Sequence, residues 1–445
     1  MLKIGSIADL KIRKSDFWVF YLFLLFTTEL WAFDLFGGNM RIYYLVNIAL
    51  FCFMGYRFQR LINNYIMRNL LLFCGVLLIS NLFSTNLKGS MAATISLILN
   101  ITGAFIVYLI LNSQKISSGK FIKALEDVLM ISLLFGLFAL LVFRFTGYRL
   151  AFTDVGKTQL SQFQIAGFRT EANTHGKLAC FATAYCIPFI LRGKADIKKK
   201  ILFCTAVLTL VISPTRAATY ALIAAVIVLL LFYVKEGQTN LVVQKIIIAF
   251  VIGVAIYIIF SSGIIKTGGY SLEKLQNFFV FGVSELKEDG SGGFRLEAIS
   301  SGLKFWLQSP QTFLFGVGFG QTFAFLQAGE VFTRTGGTEF ITLLSGAGIF
   351  TAIAWVNTIW CVYKSMSDAA HSLKYLGEDF LATLAESMMT IIVYILTIGF
   401  TSGTMYVPEC WIGFGLAAYI HYLMKAVKEE KGKNEKDRSN YFKLQ

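Results

Sequence analysis

The residue whose surroundings best suit chemistry is an arginine between two apolar runs. The run 201–213 has only 13 residues, the turn P-T-R that follows it ends at Arg216, and a second run of 18 residues covers 217–234. At about 1.5 Å per residue, the first run crosses only about 20 Å of a ~30 Å hydrocarbon core. Arg216 is therefore expected in apolar surroundings, where a charge is costly unless it faces water or an anion. A guanidinium there suits phosphate or pyrophosphate, and the alternative is an arginine that reaches to lipid headgroups.

Two further groups of polar residues stand directly before apolar runs. The segment F-R-T-E-A-N-T-H-G supplies Arg169, Glu171 and His175. Glu339 follows Gly-Gly-Thr and opens a late apolar run. A carboxylate at the beginning of a helix often serves only as a cap or as a partner of the helix dipole, and that alternative stays open for Glu339.

A fourth candidate lies in a long polar segment. Arg295 follows the flexible run D-G-S-G-G and opens a stretch in which Leu296, Ile299, Leu303 and Trp306 repeat at 3-4-3 spacing. This stripe predicts an amphipathic helix, either at the membrane surface or packed on its own loop. The glycine-rich turn F-G-V-G-F-G follows, but without a strand–helix unit it does not predict nucleotide binding.

Other catalytic and metal-binding patterns are missing from the sequence. The three histidines, His175, His371 and His421, are scattered, which argues against a histidine-based metal site. The seven cysteines have no C-x-x-C spacing, so neither a disulfide framework nor a zinc site is predicted. No G-x-S-x-G, P-loop or H-E-x-x-H motif occurs. We therefore predict no metal and no cofactor.

The composition defines the elements that must position these residues. The chain has 445 residues, of which 56% are hydrophobic and 15% charged, whereas soluble domains carry about 25% charged residues. This predicts an all-α polytopic integral membrane protein, a single transmembrane domain over 1–445 with about 12 helices. The predicted spans are 17–33, 40–56, 68–84, 91–112, 124–143, 174–191, 201–213, 217–234, 244–263, 339–363, 384–402 and 406–424.

The basic residues predict the orientation. Most of the 40 Lys and Arg residues fall at the N-terminus, in alternate connections and in the charged tail 425–445. Positive residues are retained on the cytoplasmic side, so both termini are expected there. The net charge of +14 is explained in the same way, and no nucleic-acid partner is predicted.

Two connections on the opposite side are long, 144–173 and 264–338, and the second lies between the ninth and tenth predicted spans. Loops longer than about 15 residues are uncommon unless they are functional or disordered. The loop 264–338 is therefore expected to carry part of an extracytoplasmic site.

Four segments, taken in order, resemble the bacterial O-antigen polymerase and O-antigen ligase superfamily. They are G-F-R-T-E-A-N-T-H-G (167–176), S-P-T-R-A (213–217), F-R-L-E-A with W-L-Q-S-P and L-F-G-V-G-F-G (294–320), and T-E-F-I-T-L-L-S-G-A-G (338–348). The predicted topology, with many spans and the largest outer loop late in the chain, is similar as well. The resemblance covers most of residues 160–365.

The resemblance implies a glycosyltransferase that needs no metal. In that superfamily, outer-face arginines hold the diphosphate of an undecaprenyl-linked glycan, which passes to an acceptor hydroxyl with inversion at the anomeric carbon. Arg216 and Arg295 stand at the matching motif positions, and preorganised cations are a strong way to stabilise a departing pyrophosphate. Further candidate substrate-binding residues are Arg169, His175, Lys304 and Arg334.

The sequence departs from the ligase pattern at the beginning of the late span. Ligases typically carry a histidine there, whereas this chain reads Gly-Gly-Thr-Glu, which favours a polymerase. An attacking hydroxyl usually needs a proton acceptor. Glu339 is the first candidate for this base and Glu171 the second.

The leading hypothesis is a repeat-unit polymerase for O-antigen, capsule or exopolysaccharide in the bacterial inner membrane, with its site on the extracytoplasmic face. Its partners would be the undecaprenyl-diphosphate-linked oligosaccharide, the bilayer, and chain-length regulator and flippase proteins. One alternative is a ligase that transfers glycan to a lipid A core or to protein. Another class is a membrane transporter or lipid flippase, although transporters favour internal repeats and none is evident here.

Overall fold

The computed structural model describes twelve stretches of the chain and leaves gaps between them. The described residues are 19, 21–25, 27, 32–35, 38–113, 118–162, 164–212, 215–240, 243–244, 291–320, 338–400 and 402–443. Apart from turns and short 3-10 segments, these residues are helical except for one antiparallel hairpin, in which β1 (Ala32–Leu35) pairs with β2 (Gly38–Arg41). The predicted helical class is therefore confirmed for most of the described chain, with the hairpin as an exception.

Fourteen α-helices follow the hairpin within these stretches. They are α1 (Ile42–Met54), α2 (Phe58–Asn63), α3 (Tyr65–Asn81), α4 (Leu87–Asn112), α5 (Ser118–Thr146), α6 (Asp154–Ser161), α7 (Ala172–Leu191), α8 (Ile197–Ile212), α9 (Arg216–Lys235), α10 (Ser291–Trp306), α11 (Pro310–Phe315), α12 (Glu339–Tyr375), α13 (Asp379–Gly399) and α14 (Pro408–Lys443).

Six stretches of helix in the described chain are long and apolar enough to cross a bilayer. They are Leu87–Asn112, Gly119–Thr146, Ala217–Lys235, Glu339–Tyr375, Asp379–Gly399 and Pro408–Glu430. This supports a polytopic membrane protein. The predicted span 244–263 and much of the loop 264–338 lie outside the described residues, and the span 17–33 is described only in part.

The most buried helices lie at the centre of the bundle. In the apolar 18-residue stretch of α4, and in that of α13, 83% of the residues are buried inside the protein, compared with 33% in α5. Helix α13 packs against α7, α9, α12 and α14. Small side chains allow close approach, as expected for helices in lipid: Ser387 Oγ of α13 donates to the Tyr185 carbonyl oxygen at 2.8 Å, and Gly415 of α14 lies against the Ala104 carbonyl of α4.

Helix α12 is broken at Gly348, whose φ of 76° lies in the left-handed region. The break leaves carbonyl groups of the preceding turn free for other partners. The Ser345 and Gly346 oxygens accept hydrogen bonds from the Val317 and Gly318 N–H groups, at 3.1 and 2.8 Å. The glycine-rich turn after α11 thus packs backbone against backbone on α12. Gly316 permits this close approach, because a Cβ atom there would overlap the Gly346 backbone.

We predict that Gly348→Ala destabilises the protein by about 2 kcal/mol or more. An alanine there adopts a left-handed conformation that costs roughly 1–2 kcal/mol. Its methyl group also overlaps the Leu314 carbonyl. The measurement is the melting temperature of the detergent-solubilised protein.

The matched control is Gly75→Ala in α3, because no atom lies within 4 Å of a Cβ built there. This variant should be as stable as the parent or slightly more stable, since alanine favours helix over glycine. Equal melting temperatures for the two variants would show that the break in α12 is not fixed by Gly348.

Candidate functional site

The polar residues predicted from the sequence collect at one end of the bundle. Helices α7, α9, α12 and α14 begin at this end and α13 ends there. We call it the Lys177 end, after the lysine in the second turn of α7. Gly176 lies against the side chain of Thr215, the residue before α9, and a Cβ at Gly176 would overlap it. The segments 167–177 and 215–217 therefore meet, although about 40 residues separate them in sequence.

A short connection between α13 and α14 closes this end, and we call residues 402–407 the strap. Lys177 Nζ donates to the Gly403 carbonyl oxygen at 2.7 Å, and the indole N–H of Trp411 donates to the Met405 oxygen at 2.8 Å. The Lys177 ammonium is also under the influence of three carboxylates, Glu171, Glu339 and Glu409. A buried cation is stable only with such partners.

Glu339 attaches the beginning of α12 to the strap. Its Oε2 atom accepts three hydrogen bonds, from the Thr404 N–H at 2.6 Å, the Thr404 hydroxyl at 2.9 Å and the Met405 N–H at 3.2 Å. The residue is only 5% exposed. The Oε1 atom is buried without a hydrogen-bond partner among the described residues and faces the Gly399 end of α13. Glu339 therefore has a structural role through Oε2, whereas Oε1 is not used in a hydrogen bond to the described residues.

Arg169 forms a buried ion pair with Glu409 in the first turn of α14. The distance between Arg169 Nη2 and Glu409 Oε2 is 2.9 Å, and the two side chains are 2% and 1% exposed. A carboxylate in the first turn also interacts favourably with the helix dipole. Arg169, predicted to bind substrate, thus lies with its guanidinium against a protein carboxylate.

His175 fills a gap between two glycines. A Cβ at Gly136 of α5 would come within 2.6 Å of the imidazole, and one at Gly167 within 2.7 Å. Both ring nitrogens are buried and have no hydrogen-bond partner within the described stretches. Next to it, Phe168 stacks on Phe135 with ring centroids 4.0 Å apart. The histidine predicted to bind substrate therefore packs between α5 and the segment before α7.

For the two arginines predicted to bind diphosphate, the structure gives the position of the backbone. Arg216 is the first residue of α9, directly after Thr215 at the Lys177 end. Arg295 lies in α10, two turns before Gly302, whose Cα packs against Ile341 in the first turn of α12. Both guanidinium groups lie outside the described side chains, so their predicted convergence stays a prediction.

The other candidates lie in different surroundings. Lys304 is exposed on α10. Glu171 is the residue immediately before α7, at the Lys177 end. Arg334 lies outside the described residues.

Sequence reasoning missed two members of this site, Lys177 and Glu409. Each lies in the first two turns of an apolar helix, at the Lys177 end of the bundle. A charge inside an otherwise apolar run was the available signal, since such charges are costly in lipid without a partner. What sequence alone could not supply is the pairing of Glu409 with Arg169, 240 residues away.

The opposite end of the bundle holds a separate ionic cluster. Arg192 donates to the carboxylates of Glu386 and Glu236, Lys374 lies 2.8 Å from Glu236, and the Tyr233 hydroxyl donates to Glu386 at 2.7 Å. Burial raises the pKa of Glu236, but hydrogen bonds from Lys374 and Arg192 outweigh it and hold that pKa below its usual range. Glu386 is a charged residue within the predicted span 384–402, and it pairs with Arg192.

The fold and its apolar helices define the class as a polytopic, helical membrane protein. No protein-family model matches the sequence, and no curated protein matches it either.

We predict that Arg169→Met and Glu409→Leu each lower the free energy of unfolding by about 3–5 kcal/mol, because each leaves a buried charge without its partner. The double variant should recover most of this loss. A double-mutant cycle of melting temperatures in detergent measures the coupling.

The exposed pair Lys157–Asp154 is the control, since its side chains are 47% and 99% exposed. Lys157→Met should cost less than about 1 kcal/mol. If the single variants of Arg169 and Glu409 have the same melting temperature as the parent protein, the buried ion pair does not contribute to stability as predicted.

Proposed function

We propose that this protein is a polysaccharide repeat-unit polymerase, a glycosyltransferase that uses an undecaprenyl-diphosphate-linked glycan. It acts in the bacterial inner membrane, with the Lys177 end on the extracytoplasmic side and both termini in the cytoplasm. The product is O-antigen, capsule or another exopolysaccharide.

One observation carries the proposal: motif segments that are far apart in sequence come together at one end of the bundle. Gly176 of the first segment contacts Thr215 of the second, Gly302 of the third contacts Ile341 of the fourth, and the turn 315–320 packs on the break in α12. Lys177, next to the first segment, and Glu339, in the fourth, both bond to the strap, so the two pairs of segments lie at the same end of the bundle. Their meeting supports a shared site at which Arg216 and Arg295 bind the diphosphate.

The proposed reaction is a substitution at the anomeric carbon of the lipid-linked glycan. The oxygen of an acceptor sugar hydroxyl forms a bond to that carbon, and the bond between the carbon and the diphosphate oxygen breaks with inversion. The hydroxyl proton passes to a carboxylate, and the leaving undecaprenyl diphosphate keeps the electron pair. Arginine cations stabilise the charge that develops on the leaving group.

Glu339 is the stronger candidate for the proton acceptor because of the two environments of its oxygens. Hydrogen bonds from Thr404 and Met405 fix Oε2, which orients the carboxylate. Oε1 has no hydrogen-bond partner among the described residues, so it is the atom that would take the proton. Glu171, at the beginning of the adjacent α7, is the second candidate.

The proposal predicts that Arg216→Ala and Arg295→Ala each abolish long-chain glycan and leave single repeat units at the cell surface. Loss of one cation leaves the diphosphate charge without its counter-charge in the transition state, at a cost of roughly 10²-fold or more in rate. The measurement is gel electrophoresis of surface glycan from a deletion strain that carries each variant.

Arg149→Ala is the matched control, because Arg149 is an exposed arginine in the connection before α7. It should restore the full ladder of chain lengths. Long polymer in both the Arg216 and Arg295 variants would refute the diphosphate assignment. Polymer stranded on its lipid carrier in the deletion strain would indicate a ligase, and unaltered glycan would indicate transport.

A second prediction separates the two roles of Glu339. In Glu339→Gln, the amide oxygen can still accept hydrogen bonds from Thr404 and Met405, so the strap should stay attached and the protein should remain folded. The amide cannot act as a base, and the polymerisation rate should fall by about 10²–10⁴-fold. Glu339→Ala should lose stability as well, since it leaves buried N–H groups without an acceptor.

The readouts are the melting temperature for attachment of the strap and the glycan ladder for catalysis. A folded Glu339→Gln variant with normal chain lengths would exclude Glu339 as the base. Glu171→Gln, tested in parallel, would then decide whether the second candidate takes that role.

A further inference from the structure

A polar cavity of about 460 Å³ opens at the end of the bundle opposite to the Lys177 end. We call it the Arg60 pocket. It lies where α2, the last turn of α4 and the middle of α14 come together. Its lining residues are Arg60, Asn63, Asn64, Tyr108, Asn112, Ser113, His421, Tyr422 and Lys425. Pockets that bind small molecules are typically about 300–1,000 Å³, so this one can hold more than a single ion.

The lining of the Arg60 pocket is positively charged. Arg60 and Lys425 contribute two cations, and the nine lining residues include no carboxylate. Beyond the lining, Lys428 of α14 and Asp368 of α12 act electrostatically on His421. With these two included, the surroundings carry three positive charges and one negative charge. A cavity with this balance attracts an anion.

Hydrogen bonds within the protein hold the walls in place. Arg60 Nη1 donates to the Asn112 carbonyl oxygen at 3.1 Å, which fixes one edge of the guanidinium. Tyr108 and Asn112 bond to each other at 2.9 Å. Asn64 caps α3 with its side-chain oxygen and donates to the Ala418 carbonyl at 3.0 Å. The pocket is thus preorganised, which lowers the entropy cost of binding.

One polar side chain in this wall lacks a partner. Both ring nitrogens of His421 are buried, and neither forms a hydrogen bond with any described residue. Buried polar groups in proteins are nearly always hydrogen-bonded, and each exception calls for an explanation. Neither nitrogen is exposed to the cavity, so the polar character of the Arg60 pocket comes from Arg60, Lys425 and the asparagines of the lining.

The location suggests where the ligand comes from. Asn112 and Ser113 of the lining stand at the end of α4, and the 26 residues of this helix extend about 39 Å, which is more than the thickness of the hydrocarbon core. The Arg60 pocket therefore lies near the opposite bilayer surface, where phosphate-bearing headgroups are concentrated. Basic pockets between transmembrane helices are known to bind such headgroups.

We propose that the Arg60 pocket binds a phosphate group, independently of the glycan-transfer site. Arg60 and Lys425 neutralise its charge, and the side-chain amides of the lining supply further polar contacts. Two sources share this chemistry, the headgroup of an anionic phospholipid and a soluble phosphate.

The test uses the full-length protein purified in a neutral detergent. It is titrated separately with dioleoylphosphatidylglycerol, with zwitterionic dioleoylphosphatidylcholine and with inorganic phosphate, and the melting temperature is recorded. Native mass spectrometry counts retained lipids. We expect saturable stabilisation by an anionic ligand, and Arg60→Gln or Lys425→Gln should each weaken the apparent affinity about fivefold, since each cation near the surface contributes about 1 kcal/mol.

Arg68→Gln is the matched control, because Arg68 is an exposed arginine on the neighbouring α3 that does not line the pocket. Its titrations should match those of the parent. If Arg60→Gln does not fold, Lys425→Gln alone decides, because Lys425 is exposed.

Stabilisation by phosphatidylglycerol alone identifies a lipid headgroup, and stabilisation by inorganic phosphate identifies a soluble ligand. Either result supports the phosphate site if Arg60→Gln and Lys425→Gln weaken the stabilisation by that ligand. The proposal fails if no ligand saturates, or if Arg60→Gln and Lys425→Gln bind as the parent and Arg68→Gln do. Neither failure bears on glycan transfer, which is read from surface glycan.

Discussion

The attachment of the strap to α7 and α12 is the interaction on which the Lys177 end depends. Glu339 Oε2 accepts three hydrogen bonds from Thr404 and Met405, and Lys177 donates to Gly403. The strap connects α13 to α14, so these bonds join four helices at the point where each begins or ends. A buried carboxylate is stable only when its oxygens are well supplied with donors. The backbone N–H groups of the strap meet that requirement for one oxygen.

Both ends of the bundle hold buried ionic groups. At the end opposite to the Lys177 end, Arg192 and Lys374 pair with Glu386 and Glu236, and Glu236 Oε1 is buried without a hydrogen bond among the described residues, 3.0 Å from His371 Nδ1. At the Lys177 end, one oxygen each of Glu339 and Glu409 is buried without a hydrogen bond among the described residues. Incomplete satisfaction of this kind is costly and concentrates at functional sites. The Lys177 end differs from the opposite end in combining two such oxygens with the motif segments that meet there.

Much of the helical architecture was predictable because apolar runs of this length have few alternatives in a bilayer. The runs at 91–112, 339–363 and 384–402 correspond to α4, α12 and α13. The hairpin was not predicted, because the sequence analysis divided residues 32–41 between the ends of the spans 17–33 and 40–56 and the short connection between them. Glu339 and Arg169 were recognised as unusual, but their partners Thr404 and Glu409 were not. Such pairings depend on how distant helices pack, which hydrophobic periodicity does not encode.

The break at Gly348 divides the 37-residue α12 into unequal parts. The nine residues before it, 339–347, form a stub of about 13 Å, and the part after it is long enough to cross the hydrocarbon core by itself. The stub carries Glu339, and its Ser345 and Gly346 carbonyl oxygens accept hydrogen bonds from the Val317 and Gly318 N–H groups. The segment 310–320 is therefore bonded to the same short piece of helix that carries the Glu339 carboxylate, and not to the membrane-crossing part of α12.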